Sequence, residues 1–226
     1  MRVWDELPEC MRCDAVRPYY EYLRKKRVSL LLKRAGDLFL AGVLILVLSP
    51  VLAVIGVWIK SDSEGPVFFK QERVTTYGST FWIYKFRTMV VNADKLGTQV
   101  TTKEDARITK VGAKIRKYRL DELPQLFNIL RGEMTFVGTR PEVPKYVAAY
   151  TPEMTATLLL PAGVTSRASI EYKDEDRLLE NAADADTVYI REILPEKMRY
   201  NLNEIKDFSL LSDIKTMFAT VAAVIR

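Results

Sequence analysis

The hydropathy of this chain is concentrated in one place. From Leu38 to Ile59 the residues read LFLAGVLILVLSPVLAVIGVWI, 22 positions without a charge. As a helix that run is about 33 Å long, which matches the hydrocarbon core of a bilayer. It starts too far into the chain for a cleaved signal peptide, its apolar core is too long, and no small-x-small cleavage pattern follows closely. Ser49-Pro50 sits at its midpoint. Proline lacks the amide that would bond the Leu46 carbonyl, and its ring clashes with that carbonyl, so a sharp bend is expected. In lipid the freed carbonyl needs a partner, and the adjacent serine hydroxyl suits it. Two topologies compete: a kinked span, or a turn back at Ser49-Pro50 with both ends on one side. Arg24, Lys25, Lys26, Arg27, Lys33 and Arg34 precede the segment and fix that end in the cytoplasm. Taken alone, the segment favours the kinked span.

Elsewhere the pattern predicts an α+β fold, mainly helical with a small β-hairpin. Residues 1–23 have no strong period and read as a peripheral leader, and the basic residues 20–36 suit a helix on the membrane surface. The coarse division is a basic leader over 1–33, a membrane helix over 34–60 and a further domain over 61–226. Val67-Phe68-Phe69 and Phe81-Trp82-Ile83-Tyr84 flank the Gly-bearing stretch Thr75-Thr76-Tyr77-Gly78-Ser79, which predicts a hairpin. Ile108, Val111, Ile115 and Tyr118 recur at helical spacing opposite a basic face of Lys110, Lys114, Arg116, Lys117 and Arg119. A second helix is expected from Asp121, an N-cap candidate, with Pro124 in its first turn. It would carry Leu123, Leu126, Phe127, Leu130 and Met134 on one face and Gln125, Asn128 and Arg131 on the other. Residues 171–186 are acid-rich and read as a surface loop or short helix. Leu211, Ile214, Phe218, Val221 and Ile225 predict a last amphipathic helix. These amphipathic helices suit a core or a membrane surface.

Composition narrows the chemistry. The net charge is +5 and the pI near 9.1, which points to an anionic partner such as nucleic acid, acidic head groups or phosphorylated substrates. There is no histidine. That removes Ser-His-Asp and Cys-His catalysis, H-E-x-x-H metalloproteases and histidine phosphotransfer. Cys10 and Cys13 stand alone, so a four-ligand zinc site cannot be completed from Cys and His, and the two read as reduced thiols. No glycine-rich phosphate cradle occurs. What remains is Asp121-Glu122 in a basic setting after Arg116, Lys117 and Arg119. An ionised carboxylate beside a bound phosphorus is a competent nucleophile, and a neighbouring Glu can share a divalent cation with a diphosphate. On spacing alone, an Asp-Glu pair at a helix start is equally an ordinary cap.

The wider context separates these readings. Lys33-Arg34-Ala35-Gly36-Asp37, Ser49-Pro50, Gly65-Pro66-Val67-Phe68-Phe69-Lys70-Gln71-Glu72-Arg73, Tyr84-Lys85-Phe86-Arg87-Thr88-Met89, Arg107-Ile108-Thr109-Lys110-Val111-Gly112, Leu120-Asp121-Glu122-Leu123-Pro124-Gln125-Leu126-Phe127-Asn128 and Val137-Gly138-Thr139-Arg140-Pro141-Glu142 follow in order over about half the chain. In this the sequence resembles the bacterial sugar transferase family, the monotopic phosphoglycosyl transferases. One position departs from the pattern, since members often read Gly-Pro-Arg-Pro where this chain has Gly138-Thr139-Arg140-Pro141.

The resemblance implies a re-entrant Ser-Pro hairpin on the cytoplasmic side of the bacterial inner membrane and a ping-pong reaction. Asp121 would attack the β-phosphorus of a UDP-sugar and release UMP. Polyprenol (undecaprenol) phosphate would then attack the aspartyl phospho-sugar, giving a polyprenyl diphosphate sugar at the first membrane step of surface glycan synthesis. Mg²⁺ is implied as cofactor, with Asp121 and Glu122 as its ligands. Lys85, Arg87, Arg116 and Arg140, with Pro141 and Glu142 of the same loop, are the implied substrate and phosphate contacts. Arginine suits bidentate phosphate contact and lysine acts as a point charge. Polyprenol phosphate is already an anion, so its attack needs no strong base, which fits a chain without histidine. UDP-sugars are cytosolic and the motifs follow the apolar run, so the turn-back at Ser49-Pro50 becomes the expected topology. Membrane lipids and a second copy of the chain are further candidate partners. The competing class is a membrane-anchored basic binding or scaffold protein without activity. Nucleic acid is not expected, because basic and aromatic residues interleave only at 81–87 and no nucleic-acid motif appears.

Overall fold

The basic stretch ahead of the apolar run folds into two successive helices, α1 (Arg17–Lys25) and α2 (Arg27–Asp62). The computed structural model describes residues 1–93, 105–172 and 184–225, and of residue 225 the backbone only. Most of the acid-rich stretch at 171–186 and the side chain of Ile225 therefore lie outside the described residues.

The leader is not peripheral. Two 3-10 turns, Trp4–Glu6 and Glu9–Met11, lead into α1. Together they place Leu7, Met11, Val16, Tyr19, Tyr20 and Leu23 in a core shared with Ala156, Leu158, Leu159, Leu202, Ile205 and Phe208. Met11 and Leu23 are fully buried, each worth about 2 kcal/mol of transfer free energy. The 3-10 turns hide Leu7 and Met11 from a search for a 3.6-residue period, whereas Val16, Tyr19, Tyr20 and Leu23 do keep helical spacing at α1 and went unread.

Helix α2 continues through Pro50. The Ser49 hydroxyl donates to the Leu46 carbonyl at 2.9 Å, so the oxygen orphaned by proline is satisfied within the helix. One stripe of α2 packs on the rest of the protein on both sides of that point. Ala41, Leu44, Ile45 and Leu48 join Phe81, Ile83, Leu126, Ile129 and Met134. Leu52, Ile55 and Ile59 join Phe86, Val111 and Ile115. The opposite stripe is bare, with Phe39, Leu46, Val54 and Val57 at 74%, 77%, 65% and 71% exposure.

Strands β1 (Phe68–Val74) and β2 (Thr80–Phe86) form the expected antiparallel hairpin, in register from Phe68 opposite Phe86 to Val74 opposite Thr80. Arg87 follows β2, is buried, and donates to the carbonyls of Ser63, Glu64 and Pro66. It latches the exit of α2 to the hairpin. Helix α3 (Lys110–Lys117) is capped by Thr109, whose hydroxyl accepts from Gly112 N at 2.9 Å. Asp62 at the end of α2 accepts from Val111 N at 2.9 Å. Ile108 and Tyr118 fall outside α3, Ile108 in a bridge to Met89 and Tyr118 exposed.

Helix α4 (Gln125–Arg131) differs from expectation in start and in facing. It begins after Pro124, and Asp121 caps nothing. Its buried side carries Gln125, Leu126, Asn128 and Ile129, while Phe127 and Leu130 are exposed. Asn128 belongs inside because its amide ties α4 to β2, accepting from Tyr84 N at 3.0 Å and donating to Trp82 O at 2.8 Å. Gly132 ends α4 in the left-handed region, φ +88°, as a C′ residue. The chain then enters β3 (Met134–Val137), so Met134 is a strand residue and not part of the helix.

After β3 come the short α5 (Pro144–Val147) and β4 (Ala162–Thr165), which pairs with β3 in parallel. This pair was not anticipated, since each strand has only four residues. Gly138 and Gly163 approach so closely beyond β3 that a Cβ on Gly163 would run into the Gly138 backbone. Helices α6 (Arg167–Glu171) and α7 (Ala185–Val188) precede a π-turn at Tyr189–Ile193, which continues into α8 (Leu194–Lys206). The last helix, α9 (Leu210–Ile225), turns its polar side inward. Asp213 pairs with Lys33 at 2.6 Å and Thr220 bonds Thr165 at 2.7 Å. Leu211, Ile214, Phe218 and Val221 face outward, exposed.

Candidate active site

The Asp-Glu pair lies in a one-turn 3-10 segment, Leu120–Glu122, between α3 and α4. Arg119 ahead of it is held at φ +53°, left-handed backbone that costs a non-glycine residue about 1 kcal/mol. This sharp reversal ends α3 and turns the pair toward the C-terminal end of β2 and the loop after β3.

The two carboxylates are treated differently. Glu122 accepts from Lys85 Nζ at 3.2 Å and from Arg140, by Nη2 and by Nη1 at 3.4 Å. Burial alone would raise its pKa, but the Arg140 and Lys85 charges and the Arg140 hydrogen bond more than offset that. Glu122 is held well below the usual carboxylate range. Burial also lowers the Lys85 ammonium, with Glu122 opposing that effect. Asp121 is half-buried, and among the described residues no other side chain hydrogen-bonds or ion-pairs with its carboxylate, which receives only a backbone hydrogen bond from its own residue. Its carboxyl is pushed up by burial, with Lys85 opposing the rise and Glu122 adding to it. Asp121 does not open a helix as expected, because α4 begins only at Gln125.

Arg140 is set by a clamp on either side. Its Nη1 also reaches Val164 O at 3.4 Å. The Thr139 carbonyl accepts from Gly163 N at 2.8 Å and Gly138 N donates to Thr165 O at 2.9 Å, so the loop is fixed although Thr139 stands in place of a proline. On the other side the Pro141 carbonyl accepts from Arg73 Nη1 at 3.1 Å. Glu142 is buried and accepts from the Tyr189 hydroxyl at 2.5 Å and from Lys197 Nζ at 3.4 Å, and Lys197 also donates to the Tyr189 oxygen at 2.8 Å. Arg73 lies 4.0 Å from the same carboxylate.

The residues singled out from sequence thus separate into groups. Lys85, Asp121, Glu122 and Arg140 come together, and Arg116 acts on Asp121 through its charge. Pro141 and Glu142 serve as backbone and buried anchor beside Arg140. Arg87 is engaged with the exit of α2 and does not face the pair. Ser49 and Pro50 lie in α2. Arg73, Tyr189 and Lys197 were not assigned roles from sequence. Arg73 at least lay within a quoted motif, whereas Tyr189 and Lys197 gave no signal. Tyr189 is delivered by the π-turn, an irregularity frequent at functional sites.

A carboxylate with spare capacity thus lies among cations, beside a long helix whose outer stripe is apolar and exposed. Residues 28–226 match the family model described as bacterial sugar transferase, and the chain belongs to that family. Over 197 residues, 86% of the chain, it is 36% identical to the UDP-N-acetylgalactosamine-undecaprenyl-phosphate N-acetylgalactosaminephosphotransferase of Aeromonas hydrophila. Over 199 residues, also 86% of the chain, it is 37% identical to the UDP-glucose:undecaprenyl-phosphate glucose-1-phosphate transferase of Escherichia coli (strain K12). These matches cover 44% and 40% of the relatives, so the chain spans less than half their length. A putative undecaprenyl-phosphate N-acetylgalactosaminyl 1-phosphate transferase of Bacillus subtilis (strain 168) is 40% identical over 125 residues, 55% of the chain and 70% of that protein.

Proposed function

We propose that this chain transfers a sugar-1-phosphate from a UDP-sugar to undecaprenol phosphate on the cytoplasmic face of the bacterial inner membrane. The observation that carries the reading is the asymmetry of the pair. Glu122 is neutralised by Lys85 and Arg140, and Asp121 beside it keeps a carboxylate for chemistry. An Asp121 oxygen attacks the β-phosphorus, the bond from phosphorus to the bridging oxygen breaks, and UMP leaves with that electron pair. A phosphate oxygen of the polyprenol phosphate then attacks the same phosphorus and releases Asp121. Lys85, Arg116 and Arg140 offset the negative charge gathered in both steps, the kind of fixed stabilisation that dominates phosphoryl transfer.

Mg²⁺ fits this site as a cation carried mainly by the diphosphate. No group of three acidic or cysteine side chains gathers among the described residues, and Mg²⁺ ordinarily takes one or two carboxylates plus substrate phosphates. Asp121 would hold it more readily than Glu122, whose oxygens are already engaged by two cations. When bound, it would neutralise the diphosphate and ease departure of UMP.

The membrane arrangement follows the same logic. Both halves of α2 pack on one domain, so a straight span would draw that domain into the bilayer. A helix bent at Ser49-Pro50, entering and leaving on one face, keeps both contacts. The outward apolar residues of α4 and α9 would then meet lipid. Labelling single cysteines at positions 24 and 61 in intact cells, with Cys10 and Cys13 replaced, checks this; protection on opposite sides would refute the bend. The activity is tested by UMP release from a panel of UDP-sugars with undecaprenol phosphate and Mg²⁺. Release is expected from at least one sugar and is lost in Asp121→Asn. Folded protein that releases none sinks the reading.

A further inference from the structure

One turn beyond the carboxylate pair, Gln125 is buried with its amide unused. It is 1% exposed, and neither its side-chain nitrogen nor its oxygen has a hydrogen-bond partner among the described residues. Asn201 lacks a partner for its oxygen alone. A buried amide with both ends orphaned is rare and costs stability. Asn128, one turn further along α4, is the opposite case, since its amide bonds Tyr84 N, Trp82 O and the Glu133 carboxylate.

The backbone sets Gln125 against Glu122. Residues 120–131 wind without a break. Leu123 N donates to Leu120 O at 3.2 Å, Leu126 N to Leu123 O at 3.1 Å and Phe127 N to Pro124 O at 3.0 Å. Leu123 and Pro124 keep right-handed helical backbone between the 3-10 turn and α4. Residues three apart on such a winding are neighbours, so Glu122, Gln125 and Asn128 form one row. Both ends of the row meet β2, Glu122 through Lys85 Nζ at 3.2 Å and Asn128 through Tyr84 N at 3.0 Å. A long side chain on a helix leans toward the preceding turn, which directs the Gln125 amide toward the Glu122 carboxylate.

Glu122 has a use for that amide during transfer. At rest its carboxylate is held by Lys85 and Arg140. The reaction asks the same two cations to meet the substrate phosphates. What they give to phosphate they withdraw from Glu122, and a buried carboxylate short of donors is costly. Gln125 carries two spare N–H donors. Asp121 is the poorer recipient, because its oxygens have to stay open for attack.

We propose that Gln125 is a positioning residue whose amide N–H donates to Glu122 when Lys85 and Arg140 turn to the substrate phosphates, holding the pair in place through the transfer. The inference rests on the transferase reading above. It assigns the orphaned amide a cost in the resting protein and a return in the reaction.

The test uses the full chain in nanodiscs with undecaprenol phosphate, Mg²⁺ and a UDP-sugar from which the wild type releases UMP. Thermal unfolding is measured beside kcat and KM, and inhibition by UMP reports nucleotide binding separately. Gln125→Met, nearly isosteric and without the amide, should melt at or above the wild-type temperature, since an orphaned polar group is removed. It should lower kcat by at least about tenfold, as for a hydrogen bond to a charged group, and leave KM within about twofold. UMP inhibition should not change. Gln125→Leu should behave alike and decides alone should Gln125→Met fail to fold. A lower melting temperature, or failure of both variants to fold, would show an amide already satisfied at rest. Unchanged kcat, a loss confined to KM, or weakened UMP inhibition would show that Glu122 does not use it. Each of these overturns the inference and leaves the transferase reading intact. A folded wild-type protein inactive with every UDP-sugar would overturn both.

Discussion

The unequal treatment of Asp121 and Glu122 makes opposite demands on stability and on chemistry, and two isosteric substitutions separate them. Glu122→Gln keeps the shape but leaves Lys85 and Arg140 facing an amide. The Glu122 side chain is 12% exposed, Lys85 21% and Arg140 31%. Breaking a fully buried pair costs about 3–5 kcal/mol, and the partial exposure of both cations reduces this to roughly 2–3 kcal/mol. For a chain of this size that corresponds to a fall in melting temperature of about 4–12 °C. The sign with pH follows from the depressed carboxyl. Its stabilisation is present above the ordinary glutamate pKa of 4.5 and is lost as pH falls through its folded value. The gap between wild type and Glu122→Gln should therefore be widest near neutral pH and narrow in acid. Asp121 is the reverse. Burial has raised its carboxyl, so its ionised form costs stability at neutral pH. Asp121→Asn should melt at or above the wild-type temperature and yet release no UMP. Thermal unfolding in one detergent, with UMP release measured in parallel, checks both halves. Equal melting of Glu122→Gln and wild type, or a large destabilisation in Asp121→Asn, would refute the assigned division of roles.

Glu204, raised from 4.5 to about 7, should make the wild-type protein lose stability as pH climbs between those values, by at most roughly 3 kcal/mol. Glu204→Gln should flatten that slope in denaturant titrations run at pH 5 and pH 8. Tyr189→Phe removes one hydrogen bond to the buried Glu142 carboxylate. It should cost about 1.5–3 kcal/mol of stability and lower kcat/KM by loosening the Arg140 loop; an unchanged melting point would show that Lys197 and Arg73 hold Glu142 without it. Gly163→Ala forces β3 and β4 apart at Gly138. A circular-dichroism melt should fall sharply for that variant and stay near wild type for Gly78→Asn, whose site has open space and a left-handed backbone that asparagine tolerates.

The parts of the fold legible in the sequence were those with a local cause. The aromatic and β-branched runs around Gly78 specify the hairpin, and the charge-free run through Ser49-Pro50 specifies α2 and its hydroxyl-to-carbonyl repair. The pairing of β3 with β4 was not legible because four-residue strands containing Gly163 carry no periodic signal. The facing of α4 was misread and that of α9 was left open, for a different reason. Periodicity finds an apolar stripe but not what covers it: Phe127, Leu130, Leu211 and Phe218 point outward while Asn128, Thr216 and Asp213 make the internal contacts. That inversion is what an apolar solvent on one side would produce. In the site, Asp121, Glu122, Lys85 and Arg140 could be chosen from motifs. Which carboxylate was free, and that Tyr189 and Lys197 anchor the loop from more than 45 residues away, depended on tertiary distance alone.

The central claim is that Asp121 becomes covalently attached to the phospho-sugar. Incubating the purified protein with its UDP-sugar and Mg²⁺, without polyprenol phosphate, and measuring intact mass tests it most directly. The expected result is UMP release in proportion to enzyme, with a sugar-phosphoryl adduct that maps to Asp121 and disappears when polyprenol phosphate is added. UMP release only after polyprenol phosphate is supplied, with no adduct at any time, would contradict it.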